Sequence, residues 1–219
     1  MSTRKKWILY ILAVIVGCIA VAIVTVIQRP ELVLNQKMSK PVIYLYPQEK
    51  TDYNIKLDYE GEFTFTYPVY DDGWNITAEP TGILTDVKTN KELNYLFWEG
   101  MSKTKFSIEK GFVVEKSEVI SFLEEKLEIL GLNSREAEDF ITFWGPRMIE
   151  NDYNLVRFLS EDEINQFAKL TVSPEVDTEI RVFMIYKNLH EPIDIDKQIL
   201  LKPKRSGDVL IEWGGAEYE

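Results

Sequence analysis

Residues 51–67 read TDYNIKLDYEGEFTFTY. Every second residue of 53–59 is large and apolar or aromatic, and polar residues lie between them, which is the two-residue period of a β-strand. After Gly61 the same period returns in Phe63, Phe65 and Tyr67. Two such segments on either side of a turn residue predict an antiparallel hairpin with one face toward solvent.

Short strand-like segments continue on both sides of this stretch. They are residues 42–46, 74–79, 83–86 and 93–99, followed nearer the carboxyl terminus by 180–186, 198–201 and 209–213. Residues 180–186 are almost continuously apolar around Arg181, a pattern typical of a central strand that is covered on both faces.

The period changes in the middle of the chain. Apolar residues recur at three- and four-residue spacing over 119–130, which predicts a helix. A second helix is predicted to begin after Asn133, where Glu136 completes a capping box, and to end before Pro146. Strands, then helices, then strands without regular alternation predict an α+β fold. In full, we expect an N-terminal transmembrane helix followed by a mainly antiparallel β domain with a central helical hairpin.

An apolar run from Trp7 to Ile27 follows Arg4, Lys5 and Lys6. A helix of this length would be about 31 Å long, which matches the ~30 Å hydrocarbon core of a bilayer. Basic residues prefer the cytoplasmic side of a membrane. We therefore expect a single-pass signal-anchor helix in the cell membrane, with the amino terminus inside and the remaining chain outside.

The same segment allows two alternatives. Ala20-Val21-Ala22 has the spacing of a signal-peptidase site, and cleavage after Ala22 would release the domain. The sequence around Cys18, Ile-Val-Gly-Cys, is similar to a bacterial lipobox, in which lipid on Cys18 would replace the spanning helix. Whether this segment is retained, cleaved or lipidated stays open at the level of sequence.

The predicted organisation has four parts: a basic cytoplasmic tail (1–6), the transmembrane helix (7–27), a stalk (28–40) and an extracytoplasmic domain (41–219). Beyond residue 27, 22 Lys and Arg residues face 36 Asp and Glu residues, a net charge of −14. No stripe of Lys and Arg is present for phosphate contacts, so we expect no nucleic-acid partner. Cys18 is the only cysteine, so the domain forms no internal disulfide and must be stabilised by its core.

The composition restricts the available chemistry. His190 is the only histidine, it lies in a loop-like segment, and we interpret it as a surface residue. Triads of the Ser-His-Asp or Cys-His type would all depend on it, and zinc sites built from His and Cys are excluded by the same count. No Gly-rich phosphate loop precedes a helix. We therefore expect no cofactor and no metal site, and we favour a non-catalytic protein over an enzyme.

Two carboxylates have the setting that a glycosidase requires. Glu99 and Glu212 each stand beside a tryptophan near the end of a predicted strand. Glycosidases use two carboxyl groups ~5 to 10 Å apart, one of them with a raised pKa. The alternative is that both glutamates are structural and accept hydrogen bonds from the backbone or pair with Arg147 or Arg181.

The four tryptophans beyond the apolar run all adjoin turn residues. Trp74, Trp98, Trp144 and Trp213, together with Arg147, are candidate ligand-binding residues that could stack on a glycan or a peptide. The alternative is that they close the ends of the hydrophobic core.

Several motifs in the chain are distinctive. They are Lys-Pro-Val-Ile-Tyr-Leu-Tyr-Pro at 40–47, Tyr-Asp-Asp-Gly-Trp at 70–74, Asn-Tyr-Leu-Phe-Trp-Glu at 94–99, Phe-Trp-Gly-Pro-Arg-Met at 143–148, Ile-Arg-Val-Phe-Met at 180–184 and Glu-Trp-Gly-Gly at 212–215. On these motifs the chain resembles an uncharacterised family of bacterial membrane-anchored or exported proteins, over about residues 40–215. The resemblance implies a bacterial surface protein with one continuous domain. The family has no assigned activity, so no site residue is carried over.

The sequence thus predicts a membrane-anchored extracytoplasmic domain that binds a protein or glycan partner and is attached to the lipid bilayer through residues 7–27. One alternative is a cell-envelope glycan hydrolase that uses Glu99 and Glu212. Another is a structural or assembly protein of the envelope.

Overall fold

The computed structural model describes residues 36–218, which belong to one compact unit. Strands make up 47% of these residues and helices 19%. The strands are β1 (Gln36–Tyr46), β2 (Thr51–Tyr59), β3 (Gly61–Tyr67), β4 (Trp74–Ala78), β5 (Leu84–Asp86), β6 (Lys91–Leu93), β7 (Leu96–Ser102), β8 (Lys110–Glu115), β9 (Tyr153–Phe158), β10 (Ala168–Ser173), β11 (Thr178–Leu189), β12 (Asp196–Lys197) and β13 (Val209–Glu217). The helices are α1 (Val119–Ile129), preceded by a 3₁₀ turn at Lys116–Glu118, α2 (Ser134–Met148) and α3 (Glu161–Asn165).

The strands form two sheets. The larger sheet has the order β12-β8-β9-β11-β13-β1-β7-β3, and the smaller has the order β10-β2-β4-β5-β6. The larger sheet is mixed, because β11 pairs with β13 in parallel and β12 pairs with β8 in parallel. All pairs in the smaller sheet are antiparallel.

The larger sheet is covered on both faces at its centre. On β1, β11 and β13 successive side chains alternate between two cores. One core lies against α1 and α2 and contains Tyr44, Val182 and Trp213. The other lies against the smaller sheet and contains Ile43 and Phe183. We name these faces of the larger sheet the helix face and the inter-sheet face.

The predicted α+β class is wrong. The described chain is mostly β and consists of two sheets, with the helices as a minority that covers part of one face. The physical reason is that five further strands form a second sheet, which buries the other face of the larger sheet. Local periodicity predicts strands but does not show to which sheet each strand belongs.

Three predictions concern the amino-terminal part of the chain. The transmembrane helix over 7–27, the lipidation of Cys18 and the cleavage after Ala22 lie outside the described residues. Over 36–218, the helices are too short or too polar to cross a membrane. Strand β1 begins at Gln36, so residues 36–40 of the predicted stalk belong to the sheet.

The hairpin predicted for residues 51–67 is also wrong. β2 pairs with β10 and β4 in the smaller sheet, whereas β3 pairs with β7 in the larger one. The chain changes sheets at Glu60, whose N–H donates to the carbonyl of Phe167 at 2.7 Å. Gly61 permits the crossing, because a Cβ at this position would collide with the carbonyl oxygen of Met101 on β7.

A β-bulge at Thr64 redirects the aromatic side chains of β3. The register with β7 shifts between Phe63 and Phe65. Phe63 therefore packs on the inter-sheet face beside Trp98, with ring centroids 6.0 Å apart. Phe65 packs on the helix face beside Phe97, at 5.7 Å. The prediction that residues 63, 65 and 67 share one face is therefore wrong, because the extra residue places Phe63 and Phe65 on opposite faces of the sheet.

Candidate functional site

Glu212 belongs to a buried polar network on the inter-sheet face. Its Oε1 accepts a hydrogen bond from Trp98 Nε1 at 2.9 Å. Its Oε2 accepts from Arg181 Nε at 2.7 Å, and Arg181 Nη1 donates to the side-chain oxygen of Asn165 at 2.8 Å. The side chains of Arg181 and Glu212 are 1% and 2% exposed, so each charge depends on the other for compensation.

A second carboxylate borders this network. Glu179 lies 3.8 Å from the Arg181 guanidinium. Burial raises the pKa of the Glu179 carboxyl, although the charge of Arg181 acts in the opposite direction. The network is a structural charge cluster inside the domain, because the Arg181 and Glu212 side chains are almost completely buried.

Glu99 faces the opposite side of the same sheet. Side chains alternate along β7, so Glu99 points to the helix face while Trp98 points to the inter-sheet face. Glu99 Oε1 accepts from the backbone N–H of Lys40 at 3.3 Å, and Lys37 Nζ lies 3.5 Å from Oε2. The larger sheet thus separates Glu99 from Glu212, and the two do not form the carboxylate pair of a glycosidase.

The four candidate tryptophans are core residues. Trp74 and Trp98 lie in the inter-sheet core, and Trp144 of α2 and Trp213 of β13 lie in the core between the helices and the larger sheet. All four are at most 2% exposed, so they cannot stack on a ligand at the surface. Arg147 is exposed and lies over the ring of Phe143, 3.8 Å from its centroid. The structure does not bring these five residues together on one surface.

Metal-ligating side chains are not clustered in the described part of the chain. Over residues 36–218 no group of three His, Asp or Glu side chains is arranged to hold a metal ion.

A cavity of about 340 Å³ lies between β8, α1 and the segment before β12. Phe112 and Phe122 form part of its wall, and the ammonium group of Lys126 lies over both rings at 5.2 and 5.7 Å. That ammonium group also pairs with Glu125 at 2.7 Å, so the cation at the cavity is already compensated within the chain.

The outermost strand of the larger sheet carries an exposed row of apolar side chains. We name β3 together with Val69 the aromatic edge. Phe63, Phe65, Tyr67 and Val69 are 37%, 56%, 47% and 79% exposed. Within the described residues β3 pairs only with β7, so one side of its backbone is available for further pairing.

The other three sheet edges formed by residues 36–218 are protected against such pairing. β12 has two residues, Asp196 and Lys197. β6 has three residues, of which the charged Lys91 and Glu92 are exposed. β10 exposes Lys169 and is followed by Pro174. Short length, charge and proline are the usual means by which proteins prevent edge association. The aromatic edge has seven strand residues, and its only charged side chain is Glu62.

The aromatic edge continues into the uncovered part of the helix face. Phe65 contacts Phe97, and the ammonium group of Lys40 lies over the rings of Phe97 and Phe143 at 5.7 Å each. Phe143 in turn stacks with Arg147. Cations held over aromatic faces gain ~0.5 to 1 kcal/mol at exposed sites. The result is a continuous aromatic and cationic surface on a domain that is otherwise acidic.

Sequence reasoning located the residues of β3 but did not identify them as a site. The signal that could have indicated it is the composition of 63–67, which contains three aromatic residues and two threonines and no charge or proline. Such a segment resembles a buried strand, and its exposure follows only from the sheet order.

Comparison with known proteins shows similarity to a bacterial protein over part of the chain. A Butyrivibrio fibrisolvens protein described as "Uncharacterized protein in bglA 3'region" is 45% identical to this chain over 64 residues. The match spans 28% of this chain and 65% of that protein, which is just under two thirds of its length. No family model matches the chain, and no solved structure matches it.

Proposed function

We propose that this chain is a bacterial extracytoplasmic binding domain, held at the cell membrane by residues 7–27, and that it binds a protein partner through the aromatic edge. The observation that carries the proposal is the exposure of Phe65 and Tyr67 on a long unprotected edge strand, while the other described edges are short or charged.

The chemistry of the aromatic edge suits a protein partner. An edge strand offers backbone donors and acceptors in a regular row, and a partner strand uses them while its side chains meet those of the edge. Aromatic residues and arginine are enriched in protein interfaces, and the surface from Phe65 to Arg147 contains both. Contiguous exposed apolar surface of this kind is typical of interaction sites.

The glycan hydrolase alternative has no support from the site geometry. Glu212 is buried in a compensated ion pair, and Glu99 lies on the other face of the sheet. The proposed binding role does not require the carboxylate of Glu99 or of Glu212 to be accessible to a ligand.

Site-specific photocrosslinking of the full chain in intact cells tests the binding proposal. p-Benzoylphenylalanine in place of Phe65 is expected to form a covalent protein adduct on irradiation. The same probe in place of Ile199 is the matched control, because Ile199 is 86% exposed and lies outside the aromatic edge. Absence of an adduct at Phe65, or equal adducts at both positions, would contradict the proposal.

Protease treatment of intact cells tests the orientation. Digestion of the domain is expected without lysis if the amino terminus is inside, as we propose from the basic residues before the apolar run. Protection of the domain until the cells are lysed would contradict an extracytoplasmic location.

A further inference from the structure

We propose that the partner at the aromatic edge is the aromatic edge of a second copy of this chain, so that two larger sheets join into one continuous sheet. This inference rests on the proposed function, because it uses the same surface and specifies its occupant.

The sequence of β3 suits pairing with itself. Gly-Glu-Phe-Thr-Phe-Thr-Tyr consists mainly of aromatic and β-branched residues, which favour strands. Segments with high β propensity, little charge and no proline readily add to one another. A self-complementary edge produces an isologous dimer that closes after two copies.

The β-bulge at Thr64 restricts the registers in which two β3 strands can pair. Opposite residues of an antiparallel pair must point to the same face of the sheet. If Thr64 is left as the extra residue, pairing centred on Phe65 places Phe65 opposite itself, Phe63 opposite Thr66, and Glu62 opposite Tyr67. No two like charges stand opposite each other in this register, and directly opposed like charges would be destabilising.

The centre of the register follows from exposure and packing. Phe63 is 37% exposed and packs toward Tyr59, Tyr70 and Trp98, with ring centroids 5.2 to 6.0 Å away. Phe65 is 56% exposed, and among the aromatic rings of the described residues it contacts Phe97 alone. The larger free surface of Phe65 makes it the residue that a second Phe65 can cover.

Attachment to a common membrane would favour this contact. Confinement of two copies raises their effective concentration, which increases the occupancy of a weak interface without new contacts. The domains carry a charge of −14 each, but at physiological salt repulsion between charges is screened beyond ~8 Å.

The test uses two full-length copies with different epitope tags in the same cells. One copy carries p-benzoylphenylalanine in place of Phe65, and the expected product of irradiation contains both tags. An adduct that contains a different protein in place of the second copy would overturn this inference and leave the proposed binding function standing. No adduct would overturn both.

A charge at the dimer axis provides a second measurement. In this measurement p-benzoylphenylalanine replaces Tyr67. The variant Phe65→Lys then brings the ammonium groups of the two copies opposite each other in the proposed dimer. Because like charges in contact strongly oppose association, we expect a decrease of about tenfold or more in the two-tag adduct. Ile199→Lys adds the same charge at another exposed position and is expected to leave the adduct unchanged. Equal decreases in both variants, or none in Phe65→Lys, would overturn the inference.

Discussion

The centre and the edge of the larger sheet use similar residues to opposite effect. β13 contains Trp213 next to Glu212, and β3 contains Phe63 next to Glu62. β13 has a neighbouring strand on each side and a layer on each face, and residues 209–216 are all buried. Within residues 36–218 β3 has one neighbouring strand, and six of its seven residues are exposed. Position in the sheet order, more than composition, therefore decides whether an aromatic strand is core or binding surface.

The largest effect is expected at the centre. Arg181→Ala leaves the buried Glu212 carboxylate without its compensating charge, which costs about 3 to 5 kcal/mol of unfolding free energy. Chemical denaturation of the full chain measures this loss. Arg147→Ala is the matched control. Arg147 is exposed, and its guanidinium stacks on the Phe143 ring and donates to the Phe143 carbonyl, so a loss of about 1 kcal/mol or less is expected. Equal losses would show that the Arg181–Glu212 pair is not essential to the centre of the sheet.

A smaller loss is expected from Trp98→Phe, which keeps an aromatic ring but removes the hydrogen bond to Glu212. Hydrogen bonds to charged groups contribute about 1.5 to 3 kcal/mol. In Trp74→Phe the lost acceptor is the neutral carbonyl of Pro68, for which about 0.5 to 1.5 kcal/mol is expected. The two variants should differ in denaturation midpoint, and a larger loss in Trp74→Phe would contradict the assignment of Glu212 as the charged acceptor.

At the aromatic edge, Phe65→Lys should decrease the association of two copies without a large change in the free energy of unfolding. Phe65 is more than half exposed and has one aromatic contact in the part of the chain that the structure describes, so its replacement costs about 1 kcal/mol or less. The same denaturation measurement should therefore show little change while the two-tag adduct decreases. Loss of stability comparable to Arg181→Ala would mean that the aromatic edge belongs to the core.

The smallest effect concerns a peripheral ion pair. Burial alone would raise the pKa of the Glu163 carboxyl, but hydrogen bonds from Ser160 and Arg157 outweigh it and the pKa lies below its usual value of 4.5. As the pH falls below about 4.5, the unfolded chain takes up the proton first, so the contribution of Glu163 to stability is lost. Such pairs contribute about 1 kcal/mol or less.

Glu163→Gln tests this contribution to the pH dependence. Stability measured between pH 3 and 6 should be less pH-dependent in Glu163→Gln than in the parent chain, in the range of ordinary Glu titration. An unchanged pH profile would show that Glu163 does not contribute.

Some local features were predictable because neighbouring residues create them. Two local predictions are wrong: residues 198–201 form no strand, and α2 continues through Pro146 to Met148. The capping box at Asn133 is confirmed. The Asn133 side-chain oxygen accepts from the backbone N–H of Glu136 at 3.0 Å, and the Glu136 carboxylate accepts from the backbone N–H of Asn133 at 2.8 Å. The central strand around Arg181 is also confirmed, as β11 lies between β9 and β13. Of the alternatives for Glu212, pairing with Arg181 is the one that the structure shows.

Features that depend on distant partners were not predictable in the same way. The alternation in residues 51–67 indicates two strands, but the chain crosses between the two sheets at Gly61, where a Cβ would collide with the carbonyl oxygen of the distant Met101. The tryptophans beside turns have the composition of a binding surface, and only packing shows that all four are buried. The bulge at Thr64, which moves Phe65 to the helix face, arises from the register with β7.

The sequence by itself determined the strand and helix periods, the acidic charge beyond residue 27, the N-terminal cap at Asn133 and the apolar run at 7–27, since these depend on residues a few positions apart. The tertiary structure alone decided which strands pair, which carboxylate is buried and which aromatic strand is left at an edge. The reason is physical: burial depends on what covers a side chain, and residues such as Trp98 and Glu212 come together from positions 114 residues apart.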